Sequence, residues 1–147
     1  LNIERLRIND LFPLSELFRQ FWGENTSLEK MRVTYAKLAT NPSYILLAAK
    51  QSARLVGFAM GNICEEHYGD CRPFMVIEDL IVDQNQRRSG VGAALMRELE
   101  KCAIDHVCCQ IIFITEANRR EALRFYGALG FEFEPYKGFK KRIGSSQ

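Results

Sequence analysis

Apolar residues return along this chain with two rhythms, every second position in some stretches and every third or fourth in others. Alternation predicts strands at Asn2 to Ile8 (anchored by Ile3, Leu6 and Ile8), Tyr44 to Lys50, Leu55 to Cys64 and Phe74 to Val82. Helical spacing joins Leu14, Leu17, Phe18 and Phe21, and then Leu28, Met31, Tyr35 and Leu38. It returns from Gly90 to about His106, where Val91, Leu95, Leu99, Cys102 and Ala103 share one face, and from Asn118 to Leu129.

Local chemistry sets the boundaries. Thr26-Ser27-Leu28-Glu29 has the form of a capping box that opens the second helix, and Asn41-Pro42 stops it. The short polar link Gln51-Ser52-Ala53-Arg54 predicts an antiparallel hairpin. Cys109 to Thr115 has an almost unbroken apolar centre, which predicts a strand buried on both faces. Gly130 ends the last helix, and Phe131 to Glu134 and Phe139 to Ile143 are expected to close the sheet. The order is β-α-α-β-β-β-α-β-α-β-β: a mixed α/β fold, one domain over residues 1–147, with a flexible tail at 144–147.

Composition narrows the function. Of 147 residues, 47% are hydrophobic and 26% charged, and the formal charge of +2 gives no footprint for nucleic acid. No apolar run is long enough to span a bilayer, and LNIERLRIND lacks a signal-peptide layout, so a cytoplasmic protein with no membrane partner is expected. The five cysteines (64, 71, 102, 108 and 109) form no C-x-x-C pair and are read as reduced thiols. Cys64, His67 and Cys71 lack a fourth ligand for structural zinc, and no metal is expected.

The run Val82-Asp83-Gln84-Asn85-Gln86-Arg87-Arg88-Ser89-Gly90-Val91-Gly92-Ala93 carries the strongest chemical signal. A helix start offers unpaired N–H groups and the positive end of the helix dipole, and glycines let an anion approach the main chain. Arginines add charge and forked donors. Strand, Arg-x-x-Gly-x-Gly, helix therefore suits a pyrophosphate. A P-loop is excluded because no Gly-Lys-Ser/Thr is present, and a dinucleotide fold because Leu95 replaces its third glycine. A tight turn with exposed arginines is the plain alternative.

Val76 to Leu95, taken with Asn118-x-x-x-Ala122-x-x-Phe125-Tyr126-x-x-x-Gly130-Phe131, strongly resembles the GCN5-related N-acetyltransferase (GNAT) superfamily, and the element order matches it along essentially the full chain. The resemblance implies a single-domain GNAT fold whose mostly antiparallel sheet splays open to admit acetyl-CoA. It implies that the main chain of Leu80, Ile81 and Val82 holds the acetyl and pantetheine arm. Amides from Arg87 through Ser89, Gly90, Val91 and Gly92 to Ala93 would take the pyrophosphate, with Asn118 and Phe125 beside the pantetheine. The family often has proline where this chain has Gln84, a matter of turn rigidity rather than chemistry.

Transfer to an amine needs a proton acceptor, an oxyanion donor and an acid for the thiolate. Glu78 and Asp79 precede the cradle; a strand alternates faces, so the two carboxylates point opposite ways and only one readily faces a given pocket. Glu78 is the preferred base or ammonium anchor by resemblance to small-molecule amine acetyltransferases, the Leu80 amide the oxyanion donor, and Tyr126 the general acid. Against these stand a simple strand ion pair for Glu78, a core tyrosine on the stripe Ala122, Phe125, Tyr126, Leu129, and a helix cap for Asn118 with Glu121. Glu65, Glu66, His67, Tyr68 and Asp70 form a loop suited to a cationic amine or simply to water. The expected activity is acetyl transfer to a small-molecule primary amine by a homodimer. Protein N-acetylation and a non-catalytic acyl-CoA-binding module are the alternatives.

Overall fold

The computed structural model describes residues 1–144; of the tail expected at 144–147, residues 145–147 lie outside them. The chain divides into two compact units, Leu1–Phe113 and Ile114–Gln147.

The first unit is a five-stranded sheet in the order β1-β2-β3-β4-β5, built from β1 (Asn2–Arg5), β2 (Tyr44–Gln51), β3 (Arg54–Cys64), β4 (Phe74–Val82) and β5 (Ile111–Ile112). The first four pair antiparallel and β5 runs parallel to β4. Helices α1 (Leu11–Trp22) and α2 (Leu28–Ala39) cover one face. There Leu11, Leu14 and Leu17 bury against Leu46, Ala48, Phe58 and Ile81, with Met31, Tyr35, Leu38 and Met60 packed around them.

Helix α3 (Val91–Asp105) covers the other face. The close approach needs Gly57, where an added Cβ would stand 2.8 Å from Val91 Cγ1 and 3.1 Å from Leu95 Cδ1. With helices on both sides, β2 is buried continuously from Ile45 to Ala49, which explains its run of apolar residues.

The structure corrects several boundaries. The first strand stops at Arg5 rather than Ile8, because the Arg7 N–H donates to Asp10 Oδ2 at 2.8 Å and opens a 3-10 turn over Ile8–Asp10. Lys50 secures that turn through Glu4 Oε1 at 2.9 Å and Asp10 Oδ1 at 2.8 Å. Helix α2 is capped by Ser27, whose hydroxyl accepts from the Lys30 N–H, so Thr26 and Glu29 do not form the expected box. The strand expected from Cys109 to Thr115 shrinks to Ile111–Ile112. It is an edge strand with Ile112 exposed, so its apolar residues are not buried on two faces.

The second unit contains α4 (Arg120–Ala128), after which Gly130 turns the chain at a φ of +89°. Neither Phe131 to Glu134 nor Phe139 to Ile143 forms a strand among the described residues. Phe139 is 90% exposed and Ile143 82%.

Candidate active site

The site is built on β4, and its geometry turns on one residue. Met60 pairs with Asp79 and Gly61 with Ile77, so Glu78 is an extra residue in the ladder, a β-bulge. Ahead of it, Met75 and Ile77 lie opposite Ile63 and Gly61 on the α3 face. Beyond it, Leu80 and Val82 lie opposite Ala59 and Gly57 on that same face, while Asp79 and Ile81 lie opposite Met60 and Phe58 on the α1 face. Strict alternation would have put Asp79 with Ile77. The bulge instead puts Asp79 on the α1 face, opposite Met60, with Glu78 as the unpaired residue before it.

The same bulge chooses the main-chain groups on offer. The Asp83 N–H donates to the Val56 carbonyl at 2.8 Å, so bonded pairs fall at Asp83, Ile81 and Asp79. The N–H and C=O of Leu80 and Val82 are therefore directed at the opposite edge. On that edge the β4–β5 ladder runs only through Met75–Ile111 and Val76–Ile112. Past Val76 that ladder ends, and among the described residues no strand pairs with β4 at Leu80 and Val82 on that edge.

The chain then enters the arginine turn. Asp83, only 1% exposed, accepts the Asn85 N–H on Oδ1 at 3.0 Å and the Arg54 guanidinium on Oδ2 at 2.8 Å. It caps the 3-10 turn Gln84–Gln86, whose Gln84 N–H donates to Gln20 Oε1 of α1 at 3.2 Å. Sequence reasoning missed Asp83; its signal was a carboxylate directly after a strand, the position of an Asx turn. Arg88 has a φ of +62° and Gly90 one of +87°, and the Ser89 hydroxyl donates to the Gln86 carbonyl. Arg87, Arg88, Ser89 and Gly90 are exposed, and Val91 is buried beneath them. Helix α3 has no acidic residue in its first turn and no side-chain cap, so the N–H groups of Val91, Gly92 and Ala93 keep their pull on an anion. This donor set fits a diphosphate.

The two carboxylates differ in setting. Glu78 is exposed and Asp79 half-buried. Burial pushes the Asp79 carboxyl up to about 6, and the adjacent Glu78 charge pushes the same way. On the α1 face, Phe18 sits edge-on to Phe58 at 5.9 Å between ring centroids and lies 5.4 Å from Trp22. Trp22 is 54% exposed. Glu65 and Asp70 of the acidic loop are exposed, Glu66 is half-buried, and Tyr68 is 74% exposed. Among the described residues no group of three or more His, Cys, Asp or Glu could hold a metal, and no helix is long and apolar enough to cross a membrane.

Asn118, Phe125 and Tyr126 belong to the second unit. Helix α4 takes Arg119 as its N-cap, so Asn118 is not the expected cap; its carbonyl accepts the Arg120 N–H at 3.1 Å. Phe125 and Tyr126 are half-buried, their rings 5.1 Å apart, and Tyr126 meets Phe131 at 6.2 Å. Burial raises the Tyr126 hydroxyl above its ordinary value against the opposing pull of Arg119.

The sequence profile of the Acetyltransferase (GNAT) family matches residues 11–131. Among solved structures, a proposed acetyltransferase of Agrobacterium tumefaciens str. C58 superposes with a TM-score of 0.90 at 20% identity, covering 97% of this chain and 100% of that one. An aminoglycoside acetyltransferase from an uncultured soil metagenomic sample gives 0.79 at 23% identity, covering 97% and 96%. The glucosamine-6-phosphate N-acetyltransferase of Arabidopsis thaliana gives 0.79 at 18%, covering 99% and 96%. A strand that opens beside a glycine-led helix, on a fold shared along nearly the whole chain, has its explanation in that match: this protein belongs to the GNAT family of acetyl-CoA-dependent N-acetyltransferases.

Proposed function

We propose that this enzyme moves the acetyl group of acetyl-CoA to the primary amine of a small molecule of the polyamine, aminoalkylphosphonate, amino sugar or aminoglycoside type. The observation that carries the reading is the pairing of two carboxylates with the open edge of one strand. Glu78, at the bulge, and Asp79, back in the ladder, stand immediately before Leu80 and Val82, whose main-chain groups are directed away from β3. Aromatic rings on the same face as Asp79 suit a cationic acceptor. That two similar structures are an aminoglycoside acetyltransferase and a glucosamine-6-phosphate N-acetyltransferase adds weight to a small amine.

In this reading Leu80, Ile81 and Val82 hold the acyl arm along β4, and the Leu80 amide supports the oxyanion. The segment Arg87 to Ala93 takes the diphosphate on its amides, and Asn118 and Phe125 flank the pantetheine. The β4 carboxylates anchor and deprotonate the amine. Tyr126 gives its proton to the departing thiolate; its raised affinity for that proton keeps it in the acid form until the step. The enzyme works as one domain over residues 1–147, in the cytoplasm and as a homodimer. Five free cysteines suit a reducing compartment, and the dimer rests on family resemblance.

The test is thiol release from acetyl-CoA across a panel of polyamines, aminoalkylphosphonates, amino sugars, aminoglycosides and peptide N-termini. A small amine should turn over, and Tyr126→Phe should cost at least about tenfold in kcat. Turnover confined to peptides, or none at all, would remove the reading.

A further inference from the structure

The bulge sets the two carboxylates apart in kind: Glu78 is the residue left outside the β3 ladder, and Asp79 is the one back in it. We infer that Asp79 is the proton acceptor of the transfer, and that Glu78 is the outer charge that readies Asp79 and anchors the incoming ammonium. This rests on the proposed function and reverses the assignment that resemblance gives to Glu78.

Glu78 has no partner on β3 and its side chain is exposed, whereas Asp79 is set in the ladder opposite Met60, against the α1 core. An exposed carboxylate keeps its water and can hold a cation without needing to change its charge. A half-buried one beside a like charge holds a proton more tightly, and gains most when a cation arrives. A base is most effective when its pKa lies near the working pH, and burial with the Glu78 charge brings Asp79 to about 6.

The surroundings leave the pair to itself. Helix α1 carries Glu16 and Arg19, which pair with one another. Helix α2 carries Glu29, Lys30, Arg32 and Lys37, and its Tyr35 hydroxyl donates to the Leu6 carbonyl at 3.0 Å. Strand β3 has no titratable side chain from Leu55 to Ile63. None of these contributes to the shift on Asp79, whose causes are burial first and Glu78 second.

The step balances. The acceptor enters as the ammonium against Glu78 and gives one proton to Asp79. Its nitrogen lone pair forms the C–N bond at the thioester carbonyl, and the C–S bond breaks with its electron pair remaining on sulfur. Nitrogen's second lost proton offsets the one the thiolate takes up to become the thiol. The proton on Asp79 returns to solvent.

The experiment follows carbon-13 carboxyl signals with pH in the full chain and in Glu78→Gln, with the acid limb of kcat/KM measured on any amine that the panel turns over. Asp79 should titrate near 6. Glu78→Gln should lower that value and the acid limb together, by up to about one pH unit, because removing the like charge leaves only burial. Asp79→Asn should lose at least about a hundredfold in kcat, while Glu78→Gln acts mainly through the KM of the amine. An Asp79 signal in the ordinary aspartate range overturns the inference whether or not any amine reacts. So does an Asp79→Asn enzyme that keeps its kcat while Glu78→Gln loses a hundredfold. If no amine reacts though Asp79 titrates near 6, the proposed function falls first and the base assignment with it.

Discussion

The two ends of β4 are made of similar residues and do different work. From Phe74 to Ile77 the strand is embedded, with β3 on one side and β5 reaching it at Met75 and Val76. Beyond the bulge it keeps β3 and has no ladder to β5, so its main chain has one side to spare. The apolar side chains hardly change: Met75, Ile77 and Ile81 are all buried. What separates structure from site here is therefore which backbone groups remain unspent, and a single inserted residue makes that choice. A site built this way inherits its rigidity from the embedded end.

The sharpest way to break the comparison is to damage the embedded end alone. Met75 is fully buried, and its sulfur and methyl fill the space beside Gly61 and Leu99. Met75→Ala should lower the unfolding free energy by about 2–5 kcal/mol, the range for large-to-small changes in a packed core. Denaturant titration measures it. A loss below about 1 kcal/mol would mean that the two ends of the strand do not differ in the way described.

A smaller effect, opposite in sign, is expected at the open end. Asp79 holds its proton more tightly folded, at about 6, than unfolded, near its ordinary value of 3.8. Between those values the folded state binds more protons, so this group's contribution makes stability fall as pH rises from about 4 through about 6. Above that window the charged carboxylate costs the fold about 1–3 kcal/mol, at 1.36 kcal/mol per pKa unit and allowing for partial exposure. Asp79→Asn removes the charge, so it should be more stable than the parent at pH 8, with the gap closing below pH 4. The Glu4 carboxyl, held low by Lys50, acts with the opposite sign: its contribution is present above its unfolded value and lost as pH falls. Both proteins share it, so it cancels in the difference. Equal melting curves at pH 8 would remove the buried-charge account of Asp79.

Much of the first unit was legible because its elements obey one period each. The hairpin of Tyr44–Gln51 and Arg54–Cys64, the strand Phe74–Val82 and the helix Val91–Asp105 fall where spacing put them. The resemblance was legible too, since Arg-x-x-Gly-x-Gly and the Asn118–Phe131 pattern are local in sequence. The bulge was not. It is a relation between strands, fixed by which residue of β3 meets which of β4, and no periodicity within β4 reveals it. For the same reason the face that Asp79 takes relative to Ile77 was not legible, and Asp83 was passed over although it holds two partners. The final two strands failed differently: Phe131–Glu134 and Phe139–Ile143 were expected to close the sheet, and a strand forms only where a neighbour accepts it.

The smallest effect probes what the open end requires from its own loop. Asp83 serves two partners at once, the Asn85 N–H and the Arg54 guanidinium, and Arg54 has a side chain 67% exposed. An exposed partner contributes little, so most of the value of Asp83 should lie in the cap that shapes the turn leading to Arg87 and Gly90. Asp83→Asn keeps an oxygen for Asn85 and gives up only the ion pair. It should cost under about 1 kcal/mol of stability and leave the KM for acetyl-CoA within about twofold. Asp83→Ala loses the cap as well and should cost about 1–2 kcal/mol, with a clear rise in that KM and little change in kcat. If the two variants raise KM equally, the ion pair rather than the cap holds the loop, and the open end draws on the hairpin at Arg54 more than on its own main chain.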